Sequence, residues 1–212
     1  RNALGEGGEA RSAGALTCLG IGEREECNRL GIVVDVSHLS DRGTEDALNT
    51  SKQPIIASHS NARSVCKHPR NLTDDLILGI AKGGGVIGFH ALDPFISSNP
   101  VPTFDDLLRH IMHIGEVGGE DCIGIGPDFM ENWDETIFKG AIERASTVNG
   151  VPNTKRKWTY PKGIQSNAEL PNLTEGLLKK GFTSDQVAKF LGGNFMRIFE
   201  QVWKPAGANT PD

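Results

Sequence analysis

The sequence predicts an α/β fold of the (β/α)8 barrel type, of which these 212 residues carry about the second half. Three observations predict it. Short β-branched runs alternate with helical stretches along most of the chain, four times over. None of the runs alternates polar with apolar residues, the pattern of strands buried on both faces of a parallel sheet. The sequence holds no G-x-G-x-x-G or Walker A loop, which weakens the nucleotide-binding versions of a doubly wound sheet. Four strands cannot close a barrel that uses eight and typically takes about 250 residues. The expectation is therefore one partial barrel domain over residues 1–212, its N-terminal strands missing.

Residues 1–14 are Gly-rich and lead into a helix expected over 16–30. The first apolar run, GIVVDVSH (31–38), is a strand, followed by a helix over 41–51. The second, PIIASHS (54–60), precedes a helix over 73–82. The third, GGVIGFH (84–90), precedes a helix over 103–117, where Phe104, Leu107, Leu108, Ile111 and Ile114 share one face. The fourth run is DCIGIGPDF (121–129). An irregular segment rich in Trp, Asn, Lys and Pro spans 130–168, and helices follow over 171–180 and 183–203. Thr183 and Gln186 have capping-box spacing, and Gly192-Gly193 is expected to break the last helix in two.

Composition narrows the partners. The formal charge is −5, from 22 basic and 27 acidic residues, so no basic footprint advertises nucleic acid or an anionic membrane. No apolar run approaches the roughly 18 residues of a spanning helix, and the N-terminus lacks signal-peptide character. A soluble chain, cytoplasmic or of unassigned location, is the expectation. The four cysteines (Cys18, Cys27, Cys66, Cys122) are scattered without a C-x-x-C pair and read as reduced thiols. The N-x-[ST] triplets at Asn49, Asn71 and Asn172 would matter only in a secreted protein.

In such barrels chemistry sits at the C-terminal ends of the strands. Those ends here are Ser37-His38, Ser58-His59-Ser60, His90 and Asp128. One strand-end histidine is more often a hydrogen-bonded structural residue than a ligand. His38 and His59, one βα repeat apart, instead put two imidazoles on adjacent strands facing one rim, which favours metal binding. Asp128 follows Gly124 and Gly126 and reads either as a reactive carboxylate or as a cap on the next turn. Arg70, on the loop leaving the second strand, is either a surface arginine or a bidentate clamp for a carboxylate. His110 and His113 flank an apolar helix face and read as a solvated surface pair, and His68, in a polar loop, as exposed.

Four motifs carry a resemblance to the membrane dipeptidase (renal dipeptidase) family of zinc-dependent barrels: NRLGIVVDVSHLS (28–40), PIIASHSNAR (54–63) with HPRNLTDD (68–75), GIGPDF (124–129), and PNLTEGLLKKGF with LGGNFMRIFEQVW at the end. It spans 14–203. The resemblance implies a two-zinc centre in the complete enzyme, with His38 and His59 as terminal ligands of one ion. It implies that Arg70 holds the free carboxylate of a dipeptide. Asp128 would move the proton of a metal-bridging hydroxide that attacks the peptide bond. It also implies a disulfide at the position of Cys66, with a partner upstream of this sequence, so none is expected here. The sequence departs from the family in lacking an H-x-D triplet, in reading Asp128-Phe129-Met130-Glu131 where DFDG is usual, and in a long Trp-containing insert. His90 falls near the substrate region without a fixed counterpart.

The resulting expectation is a small dipeptide as substrate, with zinc as cofactor and only part of its site in this chain. No nucleic acid or membrane segment is involved, and a homodimer is compatible with it. The isolated chain is expected to be inactive or incomplete. Two alternatives stay open: a non-catalytic half-barrel binding domain, and a related metal-dependent hydrolase of cyclic amides or lactones.

Overall fold

Parallel strands pair in chain order, and the helices that alternate with them supply the crossover connections that parallel pairing needs. The computed structural model describes residues 2–7, 14–131, 136 and 159–203. The sheet holds β1 (Ile56–Ala57), β2 (Val86–Phe89) and β3 (Ile123–Ile125) in the order β1-β2-β3, with Ile56 opposite Val86 and Ile87 opposite Ile123. The strands are shorter than the apolar runs that predicted them. The run at 31–38 reduces to a single parallel bridge, Asp35 to Ile56. It is held by Val36 N–H donating to the Ile56 carbonyl at 2.8 Å and Ile56 N–H donating to the Val34 carbonyl at 2.9 Å. It therefore occupies a fourth strand's place beside β1 without forming a ladder.

The helices begin where their capping residues place them. In α1 (Cys18–Leu30) the Thr17 hydroxyl accepts from Gly20 N–H, and Gly31 ends the helix at φ 74° with its N–H on the Cys27 carbonyl. Ser40 caps α2 (Asp41–Thr50), and Thr73 caps α3 (Asp74–Lys82), whose first turn carries Asp74 and Asp75. A four-residue helix that the sequence analysis did not contain, α4 (Asp93–Ile96), follows β2. Thr103 and Asp106 form a reciprocal capping box on α5 (Phe104–Gly118). After α6 (Pro171–Lys179), the expected Thr183–Gln186 capping box starts α7 (Ser184–Ala188). A wide turn over Lys189–Gly193, non-helical at Gly192, separates α7 from α8 (Asn194–Val202), which is the break expected there. The Trp-containing insert lies mainly outside the described residues.

Both faces of the sheet are covered, which explains the missing polar alternation. Ile87, Phe89 and Ile123 join Ile77, Ile80, Leu107, Leu108, Ile111 and Ile114 from α3 and α5, and Phe89 stacks on Phe190 at 6.0 Å. The neighbouring residues in the strands, Ile56 and Val86, point the other way and pack on Ile198 and Val202 of α8. A strand buried on both sides has no position at which a polar residue is cheap, except at its ends.

Candidate functional site

The polar residues do fall at the strand ends, and they meet. His38 Nε2 and His59 Nε2 lie 2.9 Å apart, and their ring centroids 4.8 Å apart. His90, leaving β2, sits 5.3 Å from the His59 ring, and its Nε2 lies 3.1 Å from Asp128 Oδ2. Close backbone approach makes this possible. A Cβ at Gly88 or Gly126 would overlap the Ser58 carbonyl oxygen, so glycine at both places lets the ends of β2 and β3 draw in beside Ser58. Asp128 adopts a left-handed backbone at φ 57°, a conformation that Asp tolerates better than most residues.

A carboxylate that the sequence analysis did not single out orients His59. Asp35 Oδ1 accepts from the Ser37 and Ser58 amides, both at 3.0 Å, and Asp35 Oδ2 accepts the Ser58 hydroxyl at 2.5 Å. With its proton spent on Asp35, Ser58 Oγ accepts from His59 Nδ1–H at 2.7 Å. That assigns the His59 tautomer and leaves a lone pair on Nε2, aimed at His38. The His59 amide also donates to Ser37 Oγ at 2.9 Å. Burial works to raise the Asp35 pKa, but the hydrogen bonds from Ser58 and Ser37 outweigh it and hold the carboxyl below its usual range. The available signal for this role was an Asp inside an otherwise apolar run.

The electrostatics favour neutral imidazoles beside an ionised carboxylate. Loss of water around the ring, then the charge of Arg70, pushes His38 down to about 4. Burial lowers His59 as well, against the opposing pull of Asp128. Burial takes His90 to about 4 despite its hydrogen bond to Asp128. The same bond, working against burial, holds the Asp128 carboxyl below the usual carboxylate range.

Arg70 is buried, with its guanidinium carbon 5.8 Å from the Phe95 ring centroid. Its charge works to lower the pKa of His38, His59 and His90, and the Phe95 ring beside it also stacks on His90. Phe95, on α4, is the ring around which this side is built. His90 stacks on it at 4.6 Å and His68 meets it edge-on at 4.7 Å. A helix of four residues starting Asp-Pro left no periodic signal from which to read it.

Two histidine expectations are corrected. His68 is half-buried rather than exposed, because it packs on Phe95 and its Nδ1 accepts the Arg70 amide at 3.1 Å. His110 is fully buried rather than part of a solvated pair. Its Nε2–H donates to the Ile96 carbonyl at 2.8 Å, and its Nδ1 accepts the Ala62 amide at 3.1 Å. Spacing puts His110 at the border of the α5 apolar face, and α4 then covers it. His113 instead pairs with Asp74 at 2.8 Å.

The donor set fits part of a metal site. Two imidazole nitrogens face one point, and an outer hydrogen bond fixes one of the rings, the usual dress of a metal-ligating histidine. Among the described residues, no group of three or more His, Cys, Asp or Glu side chains is arranged to hold a metal ion. Also among them, no helix is long and apolar enough to cross a membrane, and Cys18, Cys27 and Cys122 are free thiols.

Comparison with known proteins points one way. The family model described as membrane dipeptidase (peptidase family M19) matches residues 3–140 and 157–210. An uncharacterised dipeptidase of Schizosaccharomyces pombe is 31% identical over 180 residues, covering 84% of this chain and 37% of its own length. Among solved structures, an amidohydrolase from Pseudomonas aeruginosa superposes with a TM-score of 0.87 at 33% identity, covering 96% of this chain and 62% of that one. A metallopeptidase from Rhodobacter sphaeroides, liganded with a phosphinate mimic of the dipeptide L-Ala-D-Ala, gives 0.72 at 28% identity, covering 89% and 48%. The chain thus spans less than two thirds of the length of each of these relatives, from 37% to 62%. With the family model matched over most of its residues and the yeast dipeptidase similar over 84% of it, the chain belongs to the membrane dipeptidase family, a family of hydrolases.

Proposed function

We propose that this chain is the second half of a (β/α)8 barrel and supplies part of the active site of a metal-dependent dipeptidase, with zinc as the metal. The observation that carries the reading is the meeting of His38 and His59 at Nε2, with His59 oriented by the Asp35–Ser58 chain. In sequence order the run at 31–38, β1, β2 and β3 form an arc of neighbouring parallel strands whose polar ends share one mouth, the arrangement of a barrel's C-terminal face.

In this reading His38 and His59 are two of the metal ligands. A bound divalent ion would supply acidification of water and polarisation of the scissile carbonyl. Asp128, ionised and held by His90, accepts the proton of the attacking water and returns it to the leaving amine. Arg70 pairs with the free carboxylate of the substrate, which limits the chain length on that side and makes dipeptides the substrate class. A Rhodobacter relative that binds a dipeptide mimic supports this choice. The protonation states favour it too, since neutral imidazoles are ligands and an ionised Asp128 is a base.

The test is hydrolysis of Gly-Leu and of L-D dipeptides with added zinc, using the full-length protein and the isolated 212-residue chain. Turnover by the full-length protein and little or none by the chain alone is expected. Robust turnover by the isolated chain would refute the half-site. A second reading, hydrolysis of a cyclic amide or lactone, is favoured by the likeness to a protein described as an amidohydrolase. A panel in which ring-opening exceeds dipeptide cleavage would select it over the first.

A further inference from the structure

We infer that His90 is a positioning residue for Asp128, donating its Nε2–H to one carboxylate oxygen so that the other is left to exchange the proton. The inference rests on the proposed role of Asp128. An ionised carboxylate only accepts, so the 3.1 Å contact between His90 Nε2 and Asp128 Oδ2 makes the imidazole the donor and assigns its Nε2–H tautomer. Asp128 Oδ1 then remains as the oxygen that can carry a proton.

The surroundings of His90 hold it for this task on every side. Its ring is buried at 3% exposure and lies nearly parallel to Phe95, at 4.6 Å and 20°. Its main chain is gripped at both ends by the buried Asn61. The His90 amide donates to Asn61 Oδ1 at 3.0 Å, and Asn61 Nδ2 donates to the His90 carbonyl at 2.8 Å. A second amide, Asn71 Nδ2, fixes Phe95 through its carbonyl at 2.8 Å. Asp128 is anchored independently, by its left-handed backbone and by the Tyr160 hydroxyl donating to its carbonyl at 3.0 Å. Both partners of the bond are therefore set by the fold rather than by each other, which is what preorganisation requires. The bond also turns the His90 donor away from solvent and spends it on a residue 38 positions later. Phe95 lies under the Arg70 guanidinium as well, so one ring contacts both the proton carrier's partner and the carboxylate clamp.

Two measurements on the full-length protein test this. In dipeptide kinetics, His90→Leu, which fills the space without a donor, lowers kcat on the order of 100-fold with KM nearly unchanged. His90→Gln, whose amide nitrogen can reach the same place, recovers most of that loss. Equal losses in both variants, or an unaltered kcat in His90→Leu, would overturn the inference. The second measurement needs neither turnover nor a variant that folds. Nitrogen-15 NMR of the parent protein reports the protonated nitrogen of His90, expected to be Nε2, and an Nδ1–H tautomer would overturn the inference. Should the parent fail to cleave any dipeptide, the proposed function fails, while the tautomer still decides whether His90 donates to Asp128.

Discussion

His38 and His59, 21 residues apart in sequence, face each other Nε2 to Nε2 at 2.9 Å. The Ser58 contact gives His59 a lone pair at that nitrogen, and loss of water keeps both rings neutral. Two such nitrogens pointing at each other make sense when they share a proton or a cation. The same relation bears on how the neighbouring side chains act.

Arg70 and Asp128 should separate kinetically in the full-length protein. Arg70→Ala removes a charge-assisted bond made to the substrate's carboxylate in ground and transition state alike, so KM rises with kcat little changed. Asp128→Asn removes the proton acceptor, and kcat falls on the order of 100-fold or more while KM stays close to that of the parent. Steady-state kinetics on one dipeptide checks both.

Ser58→Ala cuts the link between Asp35 and His59 while leaving both of those side chains in place. Outer hydrogen bonds of this kind are worth roughly 10- to 100-fold in metal affinity, and a loss of that size is expected on titration with zinc. Asp35→Asn should act in the same direction, since its amide can no longer accept from every donor that Asp35 now serves.

His110 makes a pH prediction far from the mouth. Burial holds its pKa at about 4, below the ordinary 6.5, and protonating Nδ1 would break the bond it accepts from the Ala62 amide. The unfolded chain then binds the proton more readily than the folded one. Stability from this residue is full above pH 6.5 and is lost as pH falls toward 4, by an amount of about 3 kcal/mol. Denaturant melts of His110→Asn across that window should show a shallower slope than the parent.

Thr103→Ala removes one half of the capping box on α5, whose buried face carries Leu107, Leu108, Ile111 and Ile114. A loss of about 1 kcal/mol in unfolding free energy is expected, with zinc binding unchanged.

Much of this arrangement is legible in the amino-acid order. Helix starts at Thr103 and Thr183 announce themselves through local hydrogen bonding, and the glycine pair at 192–193 breaks the last helix for equally local reasons. His38, His59, His90 and Asp128 stand out because polar residues are costly inside a two-sided sheet and must sit at strand ends. What local pattern cannot supply is the identity of neighbours. The roles of Asp35, Asn61 and Phe95 are set by contacts across 23, 29 and 24 positions respectively, and His110 is buried only because α4 closes over it. The strand expected over 31–38 shrinks to one bridge, since periodicity reports burial and not whether a ladder partner is at hand.

The most direct measurement is elemental analysis of the purified full-length protein beside its His38→Ala and His59→Ala variants. Bound zinc in the parent and a lower zinc content in each variant are expected, with folding retained by circular dichroism. Zinc content unchanged in both variants would contradict the assignment of these histidines as ligands.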